Sequence, residues 1–461
     1  MTRLPRLRLP WSGAAPEGAE AGARGGSMSA AVPEAGEPSR VSQTFRAFRH
    51  GNYRLFYTGQ AISLSGTWMQ TIGQSWLVLQ ITDSKEALGL VTMLQFLPIT
   101  IFVLFAGVMA DRLPKRNVIL ASRLLAMAQS LLLAVLVVTN QVELWHVYAL
   151  ALVLGLSNAF EQPTRQAFVM EMVGKDDILN AVALNSGLFN GARLVGPAIG
   201  GVVIWALGVE AAFFINAVSF VPTILALTMM DMSQLHTSER KGSSAAGALS
   251  ELREGISYAL RTPATRLSII IASFIGMFGF NFIIVVPLVS KYVLDGGSME
   301  LGFLMAALGG GAVTSALFLA ARREVTRPQL FISGAAFAVL LAAVAASHWF
   351  VVTFVAFIAL GLALTAFATT ANTAVQLATP DHLRGRVMAL WMLLFAGSTP
   401  IGGYLTGFLA ERIGVQEAIG FNAAMCALGV AVAGAYYVTH RAEIARTADA
   451  TRPTVAAAKG A

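Results

Sequence analysis

From about residue 54 to about residue 438 the chain is built of long apolar runs separated by short polar loops. The runs fall at 54–80, 87–110, 117–139, 146–171, 181–206, 210–230, 266–292, 301–320, 328–346, 349–377, 386–410 and 416–438. A helix crossing a bilayer needs about 20 apolar residues. Lipid supplies no hydrogen bonds, so each run must close its own backbone bonds as a helix. The pattern predicts an all-α membrane protein with twelve transmembrane helices. Composition agrees: 12% of residues are charged, against about 25% in a soluble domain.

Three stretches lie outside these runs. Residues 1–44 are rich in Pro, Gly, Ala, Arg and Glu and read as a disordered arm. No apolar segment follows their arginines, so they do not make a signal peptide; Met28 is an alternative start within them. A polar loop over 231–264 contains His236-Thr-Ser-Glu-Arg-Lys-Gly-Ser-Ser and a surface helix expected near Ala248–Leu260. The tail from His440 is polar and reads as disordered.

The net charge of +7 does not mark a nucleic-acid partner, because the arginines sit in alternate loops. One set holds Arg46, Arg49 and Arg54; Arg112, Lys115 and Arg116; Lys175; Arg240, Lys241, Arg253 and Arg261; Arg322, Arg323 and Arg327; Arg384 and Arg386; Arg441 and Arg446. The other set holds little beyond Lys85, Lys291 and Arg412. Cytoplasmic loops collect Lys and Arg, so both termini and the central loop are expected in the cytoplasm. Cys426 is the one cysteine and builds neither a disulfide nor a thiolate site alone. No nucleotide-binding loop, nucleophile–base pair or metal-ligand cluster is legible. The chain is expected to be neither an enzyme nor a cofactor binder, and an ion gradient is the expected energy source.

Two six-helix halves are visible as a repeat. Gly155-Leu-Ser-Asn-Ala-Phe-Glu-Gln-Pro-Thr-Arg precedes Gly361-Leu-Ala-Leu-Thr-Ala-Phe-Ala-Thr-Thr-Ala by 206 positions. Asp176-Asp-Ile-Leu-Asn-Ala-Val pairs with Asp381-His-Leu-Arg-Gly-Arg-Val, and Gly196-Pro-Ala-Ile-Gly-Gly with Thr399-Pro-Ile-Gly-Gly. The halves are expected at 45–230 and 265–439 in a monomer. Parallel repeats of this kind place a substrate site near the bilayer midplane, between them.

Four groups of residues carry chemistry. Gly107-Val-Met-Ala-Asp-Arg-Leu-Pro-Lys-Arg follows the second span. Gly107 permits close helix approach, Asp111 suits a helix N-terminus, and Arg112, Lys115 and Arg116 suit acids or lipid phosphates. Together they suggest a conformational latch; an ordinary cytoplasmic turn would need only the basic residues. In span five, Gly187, Gly191, Gly196 and Gly200 recur at helical spacing and leave one face nearly bare of side chains, which favours tight packing; the run Gly191 to Gly201 also holds Pro197, which removes a backbone donor and can bend the helix. Ionisable residues inside spans are functional candidates. Here they are Glu161, Arg165 four residues on, and Arg193, which lies at a depth similar to Glu161 in the next span. Glu161 is either a proton-coupling carboxylate or half of a fixed ion pair. Gln70, Gln74, Gln95, Asn190, Asn281 and Asn372 either line a cavity or bond between helices. An apolar wall with Met, Phe and Trp suits an amphipathic organic solute.

The repeat, the Asp111 loop and the span-five glycines resemble the major facilitator superfamily over about residues 45–440. Within it, Ala159-Phe-Glu-Gln-Pro-Thr-Arg-Gln-Ala and Asn190-Gly-Ala-Arg-Leu-Val-Gly-Pro resemble the bacterial branch of siderophore (enterobactin-type) and macrolide exporters. Pro114 stands where the family usually has glycine, Ala321-Arg-Arg-Glu-Val-Thr-Arg is a degraded second copy of the loop, and His146–Leu156 lacks the family's early arginine. The resemblance implies a multi-pass protein of the bacterial inner membrane that exchanges an organic solute for protons. A proton-coupled importer or a lipid flippase on the same fold is the alternative.

Overall fold

The computed structural model describes residues 45–236, 245–320 and 326–451. The expected arm over 1–44 and the first five positions of the degraded loop copy fall outside them. Every regular element among the described residues is helical. The first six long helices are α1 (Gly51–Thr82), α2 (Lys85–Arg112), α3 (Lys115–Val138), α4 (Leu144–Val173), α5 (Ile178–Leu207) and α6 (Val209–Met229). A surface helix, α7 (Ala245–Arg261), follows at the expected place. The rest are α8 (Pro263–Val293), α9 (Ser298–Ala320), α10 (Arg327–Ala346), α11 (Phe350–Leu377), α12 (two pieces, Asp381–Phe395 and Thr399–Ile413) and α13 (Val415–Thr451).

Eleven of these are long and apolar enough to cross a membrane. The twelfth expected span, α1, falls short on hydropathy but not on length. Its 32 residues extend about 48 Å at 1.5 Å per residue. Gln60, Gln70, Gln74 and several serines dilute its apolar run, and these groups are buried against neighbouring helices instead of facing outward. Gln70 donates to Gln129 on α3 (2.9 Å) and accepts from Asn216 on α6. Gln74 donates to Gln95 on α2 (3.2 Å). Polar side chains bonded across helices are tolerated where lipid-facing ones are not.

Three boundaries differ from expectation. α8 contains two π turns, Ile275–Gly279 and Val289–Val293. Such turns relieve a helix that must bend, and they recur at functional sites. α12 breaks at 396–398, where Ser398 and Pro400 start its second piece. α13 runs to Thr451 past a kink at His440, so residues 440–451 are helical although they are polar.

Helices α1–α6 pack mainly among themselves, as do α8–α13, and two pairs join the groups most extensively: α5 with α9, and α2 with α12. Glycine makes both joints. A methyl group at Gly201 would lie 2.6 Å from the Ser298 carbonyl oxygen and 2.8 Å from the Gly302 Cα. At Gly407 it would lie 2.6 Å from the Lys85 oxygen and 2.9 Å from the Gly89 Cα. These are equivalent contacts. Gly201 and Gly407 are 206 positions apart, and Ser298 with Gly302 stand 213 beyond Lys85 with Gly89. The same offsets relate Gly155 against the Gln95 carbonyl to Gly361 against the Leu308 carbonyl. Gly196 likewise packs on α1 at Ser65, and Gly402 on α8 at Met277. The fold is therefore two pseudo-symmetric bundles.

This geometry corrects the third pairing of the repeat. Aligning Pro197 with Pro400 is three positions out of register, because Gly196 corresponds to Gly402. The contact requires glycine at fixed positions. The prolines are not held that way: Pro197 is inside α5, whereas Pro400 is in the first turn of its helix.

Ala at Gly201 or Gly407 should destabilise the protein by about 1–3 kcal/mol, the usual cost of overpacking. Gly191, where a methyl meets nothing within 4 Å, should tolerate Ala or gain stability from its higher helix propensity. Thermal unfolding of the three variants in detergent measures this; equal effects at all three sites would contradict the close-contact reading.

Candidate transport cavity

Between the two bundles lies a cavity of about 220 Å³. α1 supplies Gln60, Leu64, Thr67, Trp68 and Thr71; α2 supplies Gln95, Phe96 and Ile99. α3 adds Arg123, α4 adds Asn158, Glu161, Gln162 and Arg165, and α5 adds Phe189 and Arg193. Phe220 of α6, Phe280, Phe282 and Ile283 of α8, and Met305 and Leu308 of α9 complete the wall. The Phe280–Phe282 corner is positioned by the end of the first π turn, where Asn281 leaves helical geometry.

Glu161 is the electrostatic centre. Its Oε1 accepts from the Arg123 Nη2 at 2.5 Å, and the Arg165 Nε lies 3.5 Å away. The Arg123 and Glu161 side chains are only 6% and 5% exposed. Arg123 also donates to Ser63 and Gln60 of α1, each at 3.0 Å, and lies over the Phe220 ring. One guanidinium thus ties α3 to α1, α4 and α6. Breaking such a pair is costly because the remaining charge loses its compensation.

The expected pairing of Glu161 with Arg165 is present. That of Glu161 with Arg193 is not, although both line the cavity. Arg193 instead sits 5.8 Å from the centroids of both Trp68 and Phe280. Arg123 supplies the partner, and sequence reasoning passes over it. Its signal was available, since an arginine inside the apolar run 117–139 is as informative as one inside any other span.

Of the cavity candidates, only Gln95 lines the wall, with Gln74 bonded behind it. Gln70 belongs to the buried Gln129–Gln70–Asn216 chain. Asn190, Asn281 and Asn372 bond within their own helices, to Ser186, Met277 and Gln376. Asn158 and Gln162 take the lining places. Asn158 lies on the Glu161 face of α4, at i−3, and Gln162 is four residues after Asn158 beside that face, a relation readable only once Glu161 is known to point inward.

The glycines divide their work. Gly196 and Gly200 bring α5 onto α1, Gly201 brings it onto α9, and a methyl group at Gly191 would meet nothing within 4 Å. Of the Asp111 loop, the surroundings of Gly107 and the side chains of Asp111 and Arg112 lie outside the described residues. Lys115 pairs with Glu171 of α4 at 2.6 Å. Arg116 donates to the Leu227 (2.6 Å) and Thr228 (3.1 Å) carbonyls at the end of α6, where a cation also meets the negative pole of the helix. At this end Asp177 holds Arg46 and His50. All these ties stay within α1–α6 and its preceding turn.

The opposite end is bound across the bundles. Lys291 of α8 reaches Asp83, after α1, at 2.6 Å, and the Tyr292 hydroxyl donates to the same carboxylate at 2.8 Å. The Lys291 and Tyr292 hydrogen bonds hold the Asp83 carboxyl below its usual range. That tie therefore persists at neutral pH and is lost only as the pH falls through the lowered value. Glu411 of α12 accepts from the Lys85 (2.6 Å) and Glu86 (3.3 Å) backbone nitrogens at the start of α2. A carboxylate there caps the positive helix end. Tyr404 donates to Glu86 at 2.9 Å.

Residues 42–458 match the family model of transmembrane secretion effectors. The chain belongs to that family, a branch of the major facilitator superfamily. This secretion-effector chain is 28% identical over 383 residues to the multidrug efflux pump Tap of Mycolicibacterium fortuitum, covering 79% of itself and 91% of that protein. It is 25% identical to the staphyloferrin A transporter of Staphylococcus aureus, covering 78% and 90%. To macrolide efflux protein A of Streptococcus pyogenes it is 21% identical, covering 80% and 93%. In fold it is similar to the nucleoside transporter NupG, with a TM-score of 0.66, 13% identity and coverage of 84% and 99%. A bacterial homologue of the lysosomal transporter Spinster, in an inward-facing unoccupied conformation, gives 0.63, 13%, and 88% and 99%. The secretion-effector chain is thus a multi-pass membrane transporter of small organic solutes, not an enzyme.

Replacing Arg123 by Met should cost about 3 kcal/mol, the low end for a broken buried pair, because Arg165 remains beside Glu161. The double variant Arg123→Met/Glu161→Met should regain most of that loss. A thermal double-mutant cycle tests this; simple additivity would mean that the pair contributes nothing of its own.

Proposed function

We propose that this protein is a secondary exporter that moves an amphipathic organic solute out of a bacterium, across the inner membrane, in exchange for protons. The units that rock are residues 45–230 and 265–439, joined by 231–264, with α1 as the twelfth span and the monomer as the working form. The observation that carries the reading is the aromatic and aliphatic cavity between the bundles, with a buried carboxylate in its wall. The relatives named as multidrug, macrolide and staphyloferrin A transporters support the solute class.

The basic loops put the Lys115 end in the cytoplasm, so the Asp83 end faces outward. Its ties across the bundles then form the outer gate, closed in this conformation. Opening it requires separation at Asp83–Lys291, at Glu411 and at the two glycine joints. The Asp111 loop at the inner end is the latch for the opposite closure, with lipid phosphates also within reach of its basic residues.

Proton coupling falls to Glu161. Ionised, it holds Arg123 and with it α1, α3 and α4. Protonated, it no longer neutralises Arg123, and the tie between α3 and α4 loosens. In everted vesicles, proton-driven accumulation of a fluorescent amphipathic solute should depend on the pH gradient. Glu161→Gln should keep solute exchange and lose that dependence; unchanged coupling would reduce Glu161 to a structural residue. Uptake driven inward in right-side-out vesicles would instead favour an importer. Asp111→Asn should abolish flux while membrane insertion stays normal, and wild-type flux in that variant would remove the latch.

A further inference from the structure

The cavity wall carries three cations and one anion: Arg123, Arg165 and Arg193 against Glu161. Glu161 is already spent on the first two. Arg193 forms no ion pair and no hydrogen bond among the described residues, and its contacts there are the Trp68 and Phe280 faces. A charged side chain in the middle of a membrane protein is costly unless something compensates it. Two ring faces compensate only part of the charge; the five N–H donors of the guanidinium remain unused.

We propose that the solute is an organic anion, an apolar body bearing a carboxylate, and that Arg193 receives the acid group. The proposal rests on the export reading and gives it a substrate class. The guanidinium fork matches a carboxylate with two parallel hydrogen bonds. Trp68 and Phe280 hold that fork in place, so little freedom is lost on binding. Phe189, edge-on to Trp68, and Phe96 offer a surface to the apolar body. Binding a monoanion lowers the excess charge of the wall from two to one, and binding a dianion removes it. An amphipathic cation would meet two uncompensated positive charges, and a neutral solute would leave that charge uncompensated. An anion leaving the cell also moves down the inside-negative membrane potential.

The test uses the full chain in lipid nanodiscs and calorimetric titration with three matched probes: 2-naphthoate, 2-naphthamide and 2-naphthylmethylammonium. The acid should bind at least tenfold more tightly than the amide, and the ammonium most weakly. Arg193→Gln should abolish the advantage of the acid over the amide. If Arg193→Gln does not insert, Arg193→Lys replaces it. That variant keeps the charge and loses the fork, and it should bind the acid at least threefold more weakly. The proposal is overturned if the acid does not bind, if acid and amide bind equally, or if the acid preference survives in Arg193→Gln. Parent-level acid binding by Arg193→Lys also overturns it. The two readings fail separately. Acid binding without outward flux in everted vesicles defeats export and leaves the anion site. Outward flux of neutral or cationic solutes with no acid preference defeats the anion site and leaves export.

Discussion

Everything in this transporter depends on how closely its helices approach at a few glycines. Apolar side chains gain little from packing against one another inside a bilayer, because lipid tails are just as apolar. Close backbone contact and van der Waals fit must do the work. At Gly201–Gly302 and Gly89–Gly407 the two bundles touch backbone to backbone, and both joints lie near the Asp83 end. The joints set the separation of the bundles, and therefore the width of the cavity between them.

Against this apolar frame the polar groups are few and placed to hold helices in order. Arg123 links four helices through Glu161, Gln60, Ser63 and the Phe220 ring. Gln70 and Gln74 carry the same logic outward along α1. These contacts make α1 the polar spine of the first bundle. They also explain why α1 has the weakest membrane signal of the long helices, since its polarity is turned inward to the cavity and its neighbours. The second bundle has no comparable ion triad among the described residues. Its wall is contributed by the Phe280–Phe282 corner and by Met305 and Leu308. The cavity is thus asymmetric in charge although its frame is symmetric, which concentrates electrostatic control in the first bundle.

The two ends of the molecule differ in the same spirit. At the Lys115 end the ion pairs tie helices of one bundle to each other. At the Asp83 end the ties run from α1 and α2 to α8 and α12, so they hold one bundle against the other. If the bundles rock as proposed, the first kind stays intact and the second breaks.

The sequence alone was enough for the helical membrane class, the placement of nearly every span, the surface helix before α8, the two-half architecture and the family. Those properties follow from local hydropathy, loop charge and repeated glycine, each of which is written along the chain. It also named Glu161, Arg165 and Arg193 as charges inside the spans, and all three line the cavity. The tertiary structure decided which of them meet. It gave Glu161 to Arg123, set Arg193 between two aromatic rings and moved Asn190, Asn281 and Asn372 out of the cavity. It also shifted the glycine repeat by three positions. The reason is that side-chain partnership depends on the rotation and depth of each helix against its neighbours. Hydropathy averages over that rotation, and only packing at the glycine contacts fixes it.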